Sequence, residues 1–403
     1  MNLNAPDAIR IFSFFSGAGF LDLGFEFQGH FRIAFANEFH ERFCEIYRGA
    51  RASMGLPPPI YGFNAGDASS LLQPGKEGGL ERLLAIVRDS KEKSLTGFIG
   101  GPPCPDFSVA GKNRGVSGRN GRLTSVYAEL ILAALPDFFV FENVKGLYRT
   151  ARHRAFFEDL KRRLMQGGYS LAERLCNALE FGVPQDRDRI ILVGFSNEAI
   201  RKLGLTSAGG RLCGFPWGAG IRHGLAQVKS LPWPKTDKYQ ENGRLPKPPG
   251  IIEELTVEWW FRRNRVSTHS NAGMCFRPRA GLAAFQSRDE GDCRGKSFKR
   301  LHRWRYSPTA AYGNNEVHIH PYLPRRISVA EALAIQSLPE SFAIPEGIPL
   351  SDAFKAVGNG VPYLMARGIA GSIWRFVSGS LDWAGSPRRT RQDGVLRAQN
   401  EGC

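Results

Sequence analysis

The sequence predicts an α/β protein with a doubly wound, mostly parallel sheet and a second, smaller domain of irregular or β structure. Two observations predict this fold class. Through the first 197 residues, short apolar runs alternate with helical patterns, as in parallel sheets whose strands are connected by helices. Beyond residue 198, proline, glycine, tryptophan and arginine become more frequent and the helical periodicity fades.

Five apolar runs in the first 150 residues are predicted to be strands, because each is short and bounded by turn-forming or helical sequence. The runs are IRIFSFF (9–15), FRIAFANE (31–38), a short run near Ile60 to Asn64, LTGFIGG (95–101) and DFFVFENV (137–144). Helical patterns lie between and after them, at about 39–50, 79–90, 123–134 and 152–166. The segments SLAERLCNA and RDRIILVGF are expected to pair as a hairpin that ends the sheet.

The domain boundaries follow from the change in composition. Residues 1–197 are predicted to form the domain that contains the sheet, and residues 198–322 the irregular one. Regular pattern returns with SVAEALAIQSL (328–338), a predicted helix that opens at Ser328 with capping-box spacing. Residues 376–403 include SPRRTRQDG and are predicted to be a basic, flexible tail.

The charge of the chain indicates a polyanionic partner. The 403 residues include 54 Lys and Arg against 38 Asp and Glu, a formal net charge of +16. Half of this excess lies in residues 256–306, where twelve basic residues, ten of them Arg, are interleaved with tryptophan, phenylalanine and tyrosine. Arginine with aromatic residues suits contacts with phosphates and base edges, so we expect this stretch to bind nucleic acid.

Other sequence features exclude several classes of protein. No apolar run reaches eighteen residues, and the first residues lack the pattern of a secretory signal, so neither a membrane span nor export is expected. The seven cysteines are dispersed and form no C-x-x-C pair, which fits a reducing compartment and argues against a zinc ribbon. We therefore expect a cytoplasmic protein without a structural metal.

A glycine loop follows the first predicted strand, in FFSGAGFLDLG (14–24). Gly17 and Gly19 would let the backbone turn tightly and approach a ligand. A dinucleotide-binding loop would carry a third glycine where Asp22 stands, and an acid there would repel a pyrophosphate. The loop is therefore predicted to hold an uncharged or cationic part of a cofactor.

Two acids follow the next predicted strands at the same edge of the sheet. Glu38 is placed to accept hydrogen bonds from ribose hydroxyls, and Asp67 to accept one from an adenine amino group. Together with the glycine loop they predict a nucleoside cofactor without phosphates. S-adenosylmethionine (SAM) fits that description.

One cysteine has unusual surroundings. Cys104 follows the fourth predicted strand in GGPPCPDFSVAGKNRG (100–115), where two prolines fix the backbone before it. The following residues, 105–122, are rich in glycine and basic residues, the composition of a lid that closes over an anion. A thiol at this sheet edge is predicted to be a nucleophile.

A carboxylate and two arginines complete the predicted catalytic set. Glu142 ends the fifth strand in FENV, where a buried acid is costly unless it is paired or functional. Arg187 and Arg189 stand two residues apart in QDRDRI, on one face of a predicted strand.

Thiol, carboxyl and guanidinium groups beside an adenosyl cofactor suggest methylation at carbon 5 of cytosine. A thiolate that adds at carbon 6, with N3 protonated by a buried carboxyl, makes carbon 5 nucleophilic enough to accept a methyl group. Because carbon 5 lies within a stacked duplex, the base must be flipped out of the helix.

The motifs FSGAGF, GPPCPDFS, FENV, QDRDR and AVGNGVP occur in this order, and they resemble those of the DNA (cytosine-5)-methyltransferases of the bacterial restriction–modification type. The resemblance covers most of residues 9–370. It implies a Rossmann-like SAM-dependent methyltransferase fold, with 198–322 as the target-recognition domain and 323–375 returning to the catalytic domain. The family's acid two residues before the loop phenylalanine is replaced by Ser13, which leaves the affinity for SAM open.

The resemblance also assigns roles to individual residues. Cys104, Glu142, Arg187 and Arg189 are expected to be catalytic. The expected SAM contacts are Phe15, Ser16, Gly17, Ala18, Gly19, Phe20, Glu38, Phe39, Asp67, Ala68, Gly101, Pro103, Leu123, Asn359, Gly360 and Val361.

Three functions stay open from the sequence. The leading one is methylation of cytosine in a short sequence of duplex DNA by a monomeric, nucleoid-associated enzyme, with a restriction endonuclease that acts on the same site. The second is methylation of tRNA by a member of the same family. The third is a catalytically inactive DNA-binding relative, against which the retention of Cys104, Glu142, Arg187 and Arg189 argues.

Overall fold

A mixed sheet is built from strands between residues 9 and 212. The computed structural model describes residues 8–75, 78–103, 119–278, 282–295, 297–310, 312 and 316–381. Within these ranges, nine strands form this sheet and two more form a short separate pair. The strands are β1 (Ile9–Phe14), β2 (Phe31–Glu38), β3 (Phe63–Ala65), β4 (Thr96–Gly100), β5 (Phe138–Val144), β6 (Tyr169–Asn177), β7 (Gln185–Asp186), β8 (Asp188–Ser196), β9 (Ser207–Ala208), β10 (Arg211–Leu212) and β11 (Ser307–Pro308).

Helices connect the strands and cover the sheet. Those in the described residues are α1 (Phe20–Glu26), α2 (Glu41–Ser53), α3 (Leu80–Lys93), α4 (Arg119–Ala134), α5 (Ala151–Gln166), α6 (Asn197–Leu203), α7 (Leu225–Ser230), α8 (Val257–Arg263), α9 (Leu282–Ser287), α10 (Val329–Ile335), α11 (Leu350–Asn359) and α12 (Tyr363–Leu381). None of the helices in these ranges is long and apolar enough to cross a membrane.

The strand order places the first glycine loop next to the end of β4. The order is β3-β2-β1-β4-β5-β8-β6-β10-β9, and all neighbours from β3 to β5 are parallel. The chain therefore winds outward from β1 in one direction and from β4 in the other. In such sheets a ligand crevice opens at the carboxyl ends of the two strands where the winding reverses.

The central strands are apolar on both sides because helices cover both faces of the sheet. One face packs against α1, α6 and α12. The other face packs against α3, α4 and α5. The predicted pairing is confirmed, since β6 pairs antiparallel with β8, which pairs antiparallel with β5. The prediction that this pair ends the sheet is wrong, because β10 pairs with the far side of β6 and β9 follows it.

The C-terminal elements agree with the predicted helix but not with the predicted start of the tail. Ser328 caps α10, and a full capping box with Glu331 is present. Helix α12 runs to Leu381, so it continues six residues into the segment that was predicted to be a flexible tail from residue 376. Apolar side chains such as Ile373 and Val377 anchor this helix on the sheet. Residues 382–403 lie outside the described part of the chain.

Residues 198–322 contain short elements joined by irregular segments, as the composition predicted. Some of the apolar side chains in this range pack in a core that is shared with other parts of the chain. Trp260 and Phe261 of α8 share one buried cluster with Phe20 and Phe43 and with apolar residues of α10 and α11. This part of the predicted recognition domain is therefore packed directly on the start of α1, on α2 and on the C-terminal helices.

Candidate active site

The loop after β1 has the tight geometry that its glycines predict. Gly17 and Gly19 have φ angles of 58° and 83°, in the left-handed region that favours glycine. Phe15 also has a positive φ, 54°, which is uncommon for a residue with a side chain. Ser16 fixes the turn, because its backbone N–H and its hydroxyl both donate to the Asn37 carbonyl, at 3.0 and 2.9 Å. The loop is thus tied to the end of β2.

Glu38 holds the glycine loop from the neighbouring strand. Its carboxylate accepts backbone N–H groups from Gly17 at 2.8 Å, from Phe39 at 2.9 Å and from His40 at 2.8 Å. Three such bonds fix the orientation of the carboxylate without a cation. The Glu38 side chain is mostly buried, so its carboxylate is oriented in advance toward any ligand in the loop.

The second of the two predicted cofactor acids lies beyond β3. Asp67 caps a turn of 3-10 helix, where its Oδ1 accepts the Ser69 N–H at 2.9 Å. The ring of Phe39 is 64% exposed, so it remains available to a ligand. By contrast, Ala18, Phe20 and Ala68 are buried in the core clusters.

Glu142 lies beside the segment that leads to Cys104. The parallel pairing of β4 with β5 sets Gly100 opposite Phe141, which brings Gly101 next to Glu142. A methyl group added at Gly101 would lie 2.7 Å from Oε2 of Glu142, so the absence of a side chain there makes room for the carboxylate. Glu142 is only 8% exposed.

Arg189 is the partner of Glu142. The Nε of Arg189 lies 2.7 Å from Oε1 of Glu142, and both side chains are largely buried. Burial lowers the pKa of the Arg189 guanidinium, and the Glu142 carboxylate acts in the opposite direction. The guanidinium therefore holds a carboxyl group in one orientation at the end of β5.

Arg187 points to different partners. It is 1% exposed and donates to the carbonyls of Ala310 at 2.9 Å, Gly358 at 2.9 Å and Gly360 at 3.1 Å. This placement argues against the prediction that Arg187 is catalytic. Since all three partners are backbone carbonyls in other segments, Arg187 braces the C-terminal loop and the end of the recognition region.

The C-terminal loop meets the glycine loop. A methyl group added at Gly360 would lie 2.1 Å from Cδ2 of Phe20, which shows how closely the two segments pack. Asn359 is exposed and Val361 is mostly buried at this junction. The predicted cofactor residues at the two ends of the chain are thus brought together at one edge of the sheet.

The chain matches the family of C-5 cytosine-specific DNA methylases over residues 9–375. This match extends through every motif on which the predicted site depends. The chain belongs to the C-5 cytosine-specific DNA methylases.

Relatives of this DNA methylase include restriction–modification enzymes. It is 54% identical over 386 residues to the Type II methyltransferase M.NmeDI of Neisseria meningitidis serogroup C, which covers 95% of this chain and 86% of the relative. It is 28% identical over 377 residues to M.FnuDI of Fusobacterium nucleatum, covering 91% and 94% of the two chains. The protein is therefore a DNA cytosine-5 methyltransferase of the restriction–modification type.

Solved structures support the fold of the methylase. A DNA modification methyltransferase encoded within an E. coli prophage has a TM-score of 0.58 at 19% identity, covering 92% of this chain and all of the other. The S. pombe Dnmt2 methyltransferase has a TM-score of 0.53 at 13% identity, covering 92% and 99%. At these identities the likeness shows the methyltransferase fold alone.

Sequence reasoning missed a neighbour of the methylase's glutamate. The Nδ2 of Asn143 donates to the Pro102 carbonyl at 3.4 Å, and its Oδ1 accepts the Val144 N–H at 2.8 Å. Asn143 thus connects the end of β5 to the proline segment. The sequence signal that could have pointed to Asn143 is its position directly after Glu142 in the FENV motif.

The predicted nucleophile, Cys104, and the predicted lid up to residue 118 lie outside the described residues. Two predicted SAM contacts on either side of this segment are described: Pro103 is exposed, and Leu123 of α4 is half-buried. Pro103 follows Gly101 and Pro102, so the described chain leads from the edge beside Glu142 directly to the cysteine.

Several arginines of the basic stretch, residues 256–306, are buried and bonded within the protein, which its composition did not predict. Arg300 is fully buried and donates to several backbone carbonyls, among them Pro321 at 3.2 Å and Leu323 at 3.1 Å. Arg303 is also buried, in a two-bond ion pair with Glu290 at 2.8 Å. The prediction that this stretch as a whole contacts nucleic acid is thus wrong for its buried members. The buried aromatic residues of the stretch are Trp260, Phe261, Phe285, Trp304 and Tyr306.

Proposed function

We propose that the protein methylates carbon 5 of a cytosine that is flipped out of a short sequence in duplex DNA, through a covalent bond between Cys104 and carbon 6 of the base. One observation carries this proposal. The Glu142–Arg189 pair lies beside Gly101, three residues before Cys104, at the same sheet edge as the glycine loop. A nucleophile, an acid and a cofactor loop are the groups that this chemistry needs.

In the proposed reaction, the Cys104 thiolate adds to carbon 6 while the Glu142 carboxyl gives a proton to N3 of the ring. Arg189 keeps that carboxyl in place through its 2.7 Å contact with Glu142, and its guanidinium would donate to the cytosine O2. After methyl transfer, a base removes the proton from carbon 5, and the bond from carbon 6 to Cys104 breaks so that the cysteine leaves as a thiolate. N3 then returns its proton to the Glu142 carboxylate. Arg187 is assigned a bracing role instead, because its Nη1 and Nη2 donate to the carbonyls of three other residues.

SAM is the proposed cofactor and supplies the methyl group on a sulfonium. The residues at the edge of the sheet fit an adenosyl group. The oriented carboxylate of Glu38 would accept ribose hydroxyls and Asp67 the adenine amino group, while Phe15 and the exposed ring of Phe39 offer apolar faces. No phosphate-binding cation is needed for such a ligand.

DNA recognition is proposed to lie within residues 198–322. Among the described arginines of α8 and the turn that follows it, Arg262, Arg263 and Arg265 are exposed, unlike Arg300 and Arg303. Arg263 lies over the rings of Trp259 and Trp260, at 5.0 Å from each ring centre. If exposed arginines neutralise phosphates, log affinity falls with log salt with a slope of about −0.9 per phosphate. An Arg263→Gln variant that keeps the full slope would remove this residue from the interface.

Transfer of labelled methyl groups from SAM to duplex DNA or to tRNA tests the proposed substrate. We expect transfer to duplex DNA, and none when Cys104 is replaced by serine, with DNA binding largely retained. Cys293→Ser is the matched control, because Cys293 is a partly buried free thiol in the recognition region. Transfer to tRNA alone, or near-normal transfer by the Cys104→Ser variant, would contradict the proposal.

A trapping experiment tests the covalent bond directly. Duplex DNA with 5-fluorocytosine at the target cannot lose fluorine as a proton is lost, so an adduct with the protein is expected to accumulate. The Cys104→Ser variant is expected to form none. Absence of an adduct with the wild type would argue against Cys104 as the nucleophile.

We also propose a monomeric, cytoplasmic, nucleoid-associated enzyme that acts beside a restriction endonuclease with the same recognition site. The restriction–modification relatives support the endonuclease partner. Bisulfite sequencing of DNA from cells that express the protein would give the modified base and its sequence context together. Resistance of that DNA to an endonuclease specific for the same context would support the pairing.

A further inference from the structure

A buried acid lies behind the glycine loop. Asp22 of α1 is 0% exposed. Its Oδ1 accepts the Ser13 hydroxyl at 2.6 Å, and its Oδ2 accepts the Tyr47 hydroxyl at 2.8 Å. Both donors are neutral, so the hydrogen bonds satisfy the oxygens without supplying a positive charge.

The cation near Asp22, Arg51, forms its ion pair with Glu26 instead. Arg51 of α2 donates twice to Glu26, at 2.5 and 2.9 Å, and once to the Pro57 carbonyl at 2.7 Å. Arg51 and Glu26 therefore neutralise each other, and the cluster keeps the charge of Asp22. Burial raises the pKa of Asp22 to about 6, while the bonds from Ser13 and Tyr47 act in the opposite direction. At neutral and higher pH this carboxyl is mostly ionised.

The cluster supports the cofactor loop from behind. Ser13 lies in β1, two residues before Phe15. The ring of Tyr47 packs under the loop, since a methyl group added at Gly19 would lie 2.9 Å from its Cδ2. On the other side of the loop, Glu38 bonds the Gly17 N–H at 2.8 Å. Two carboxylates thus flank this loop in a chain whose net charge is +16.

The hydrogen bonds alone do not explain an acid at this position. An asparagine could accept a hydrogen from one hydroxyl and donate to the other, so it could keep both partners. It would also avoid the cost of an unpaired buried charge. What aspartate adds over asparagine is therefore negative potential at the loop.

We propose that Asp22 is a specificity-determining residue that favours the cationic cofactor SAM over its neutral product S-adenosylhomocysteine. This inference rests on the proposed use of SAM. When the methyl group moves to the base, the sulfonium becomes an uncharged thioether, and the cofactor's net charge falls by one. A fixed negative charge behind the loop attracts the first form more than the second, which helps the product to leave.

Binding of both ligands to the full chain, measured by calorimetry without DNA, tests the proposal. For charges on the order of 10 Å apart in an effective dielectric of about 20, the attraction corresponds to roughly tenfold in affinity. In Asp22→Asn we expect the preference for SAM over S-adenosylhomocysteine to fall by about three- to tenfold. Equal loss of affinity for both ligands would mean a merely structural role and would overturn the proposal.

A second variant covers the case in which Asp22→Asn does not fold. Tyr47→Phe keeps the ring under Gly19 but removes one donor, so the pKa of Asp22 rises further above its wild-type value. We expect its preference for SAM to match the wild type at pH 8.5 and to fall below the wild type at pH 6.5. The groups around Asp22 are then unchanged except for one hydroxyl, since Ser13, Glu26 and Arg51 remain.

The remaining outcomes separate the two proposals. A preference in Tyr47→Phe that equals the wild type at both pH values would overturn the role of Asp22. Wild-type protein that binds neither ligand would instead overturn the proposed cofactor, and with it this inference.

Discussion

Arg189 and Glu142 join the antiparallel strands β8 and β5 through a contact of 2.7 Å between Nε and Oε1. Both side chains are largely buried, and the Glu142 carboxylate reaches the segment that carries Gly101. The pair therefore fixes the acid at the end of β5 in the direction of the proline segment. This relationship gives Arg189 a role that Arg187 does not share.

Replacing Arg189 by alanine is expected to lower methylation at least 100-fold. The change leaves a buried carboxylate without its partner, and a mispositioned acid loses the contribution of general acid catalysis. Single-turnover methyl transfer and SAM binding should be measured on the same protein, and SAM affinity should stay within about twofold.

The matched control is Lys145→Ala, which breaks an exposed ion pair with Asp188 near the same strand end. Exposed pairs contribute about 1 kcal/mol or less, so its stability should stay close to that of the wild type. Wild-type turnover by Arg189→Ala would show that the ion pair does not serve catalysis.

Gly101→Ala is expected to abolish most of the methylation activity with little change in DNA binding. The new methyl group would lie 2.7 Å from the Glu142 carboxylate, so the acid would have to move. Gly371→Ala in α12 is the control, because no atom lies within 4 Å of the added methyl group and alanine favours the helix. Equal activity of the two variants would argue against tight placement of Glu142.

Arg187→Ala is expected to destabilise the fold by about 3–5 kcal/mol, because three backbone carbonyls lose a buried charged donor. Urea unfolding measures this change. Arg187→Ala is expected to lower the free energy of unfolding more than Arg189→Ala does. It is expected to lower methylation per folded molecule less than Arg189→Ala does. A stable Arg187→Ala protein with selective loss of turnover would restore the catalytic role predicted from the sequence.

His318 predicts a dependence of stability on pH. Burial lowers its pKa to about 3, with Lys299 acting in the same direction. Because the unfolded chain binds the proton near pH 6.5 and the folded chain does not, this contribution is present at neutral pH and is lost as the pH falls below 6.5. Between pH 7.5 and 5.5 the loss is about 1.4 kcal/mol.

Comparison with His318→Phe isolates this effect from other titrating groups. Phenylalanine keeps an aromatic ring against Tyr312, and the Ser307 hydroxyl retains its bond to the Pro308 carbonyl. Urea unfolding at both pH values should show a smaller acid loss in the variant. Equal losses would mean that His318 is not the group that titrates.

Much of the sheet edge with the proposed active site was predictable because strand ends and motifs are local. Runs such as FRIAFANE and DFFVFENV place Glu38 and Glu142 at the ends of buried strands, and the structure has these strands at 31–38 and 138–144. Parallel strands in a doubly wound sheet bring such ends to one edge. The spacing could not show which groups bond Glu38, because its three donors depend on the turn of the following backbone.

The two arginines of QDRDRI show where local pattern fails. The spacing predicted one strand with both side chains in the same role, but Arg187 lies between β7 and β8. Its partners come from residues 310, 358 and 360, far away in the sequence. The prediction that the whole basic stretch binds nucleic acid was wrong for a similar reason, because Arg300 and Arg303 donate to carbonyls in other segments.

The amino-acid sequence by itself determined the α/β class, the order of the strands along the chain and the chemical groups at their ends. It did so because apolar periodicity and turn residues act over a few neighbours. Only the tertiary structure decided which arginine meets Glu142 and which arginines are buried. It alone also placed Asp22 behind the glycine loop, with its two oxygens bonded to the neutral hydroxyls of Ser13 and Tyr47. Which side chains are buried or paired depends on contacts between segments that are distant in the sequence. A local sequence pattern cannot predict those contacts.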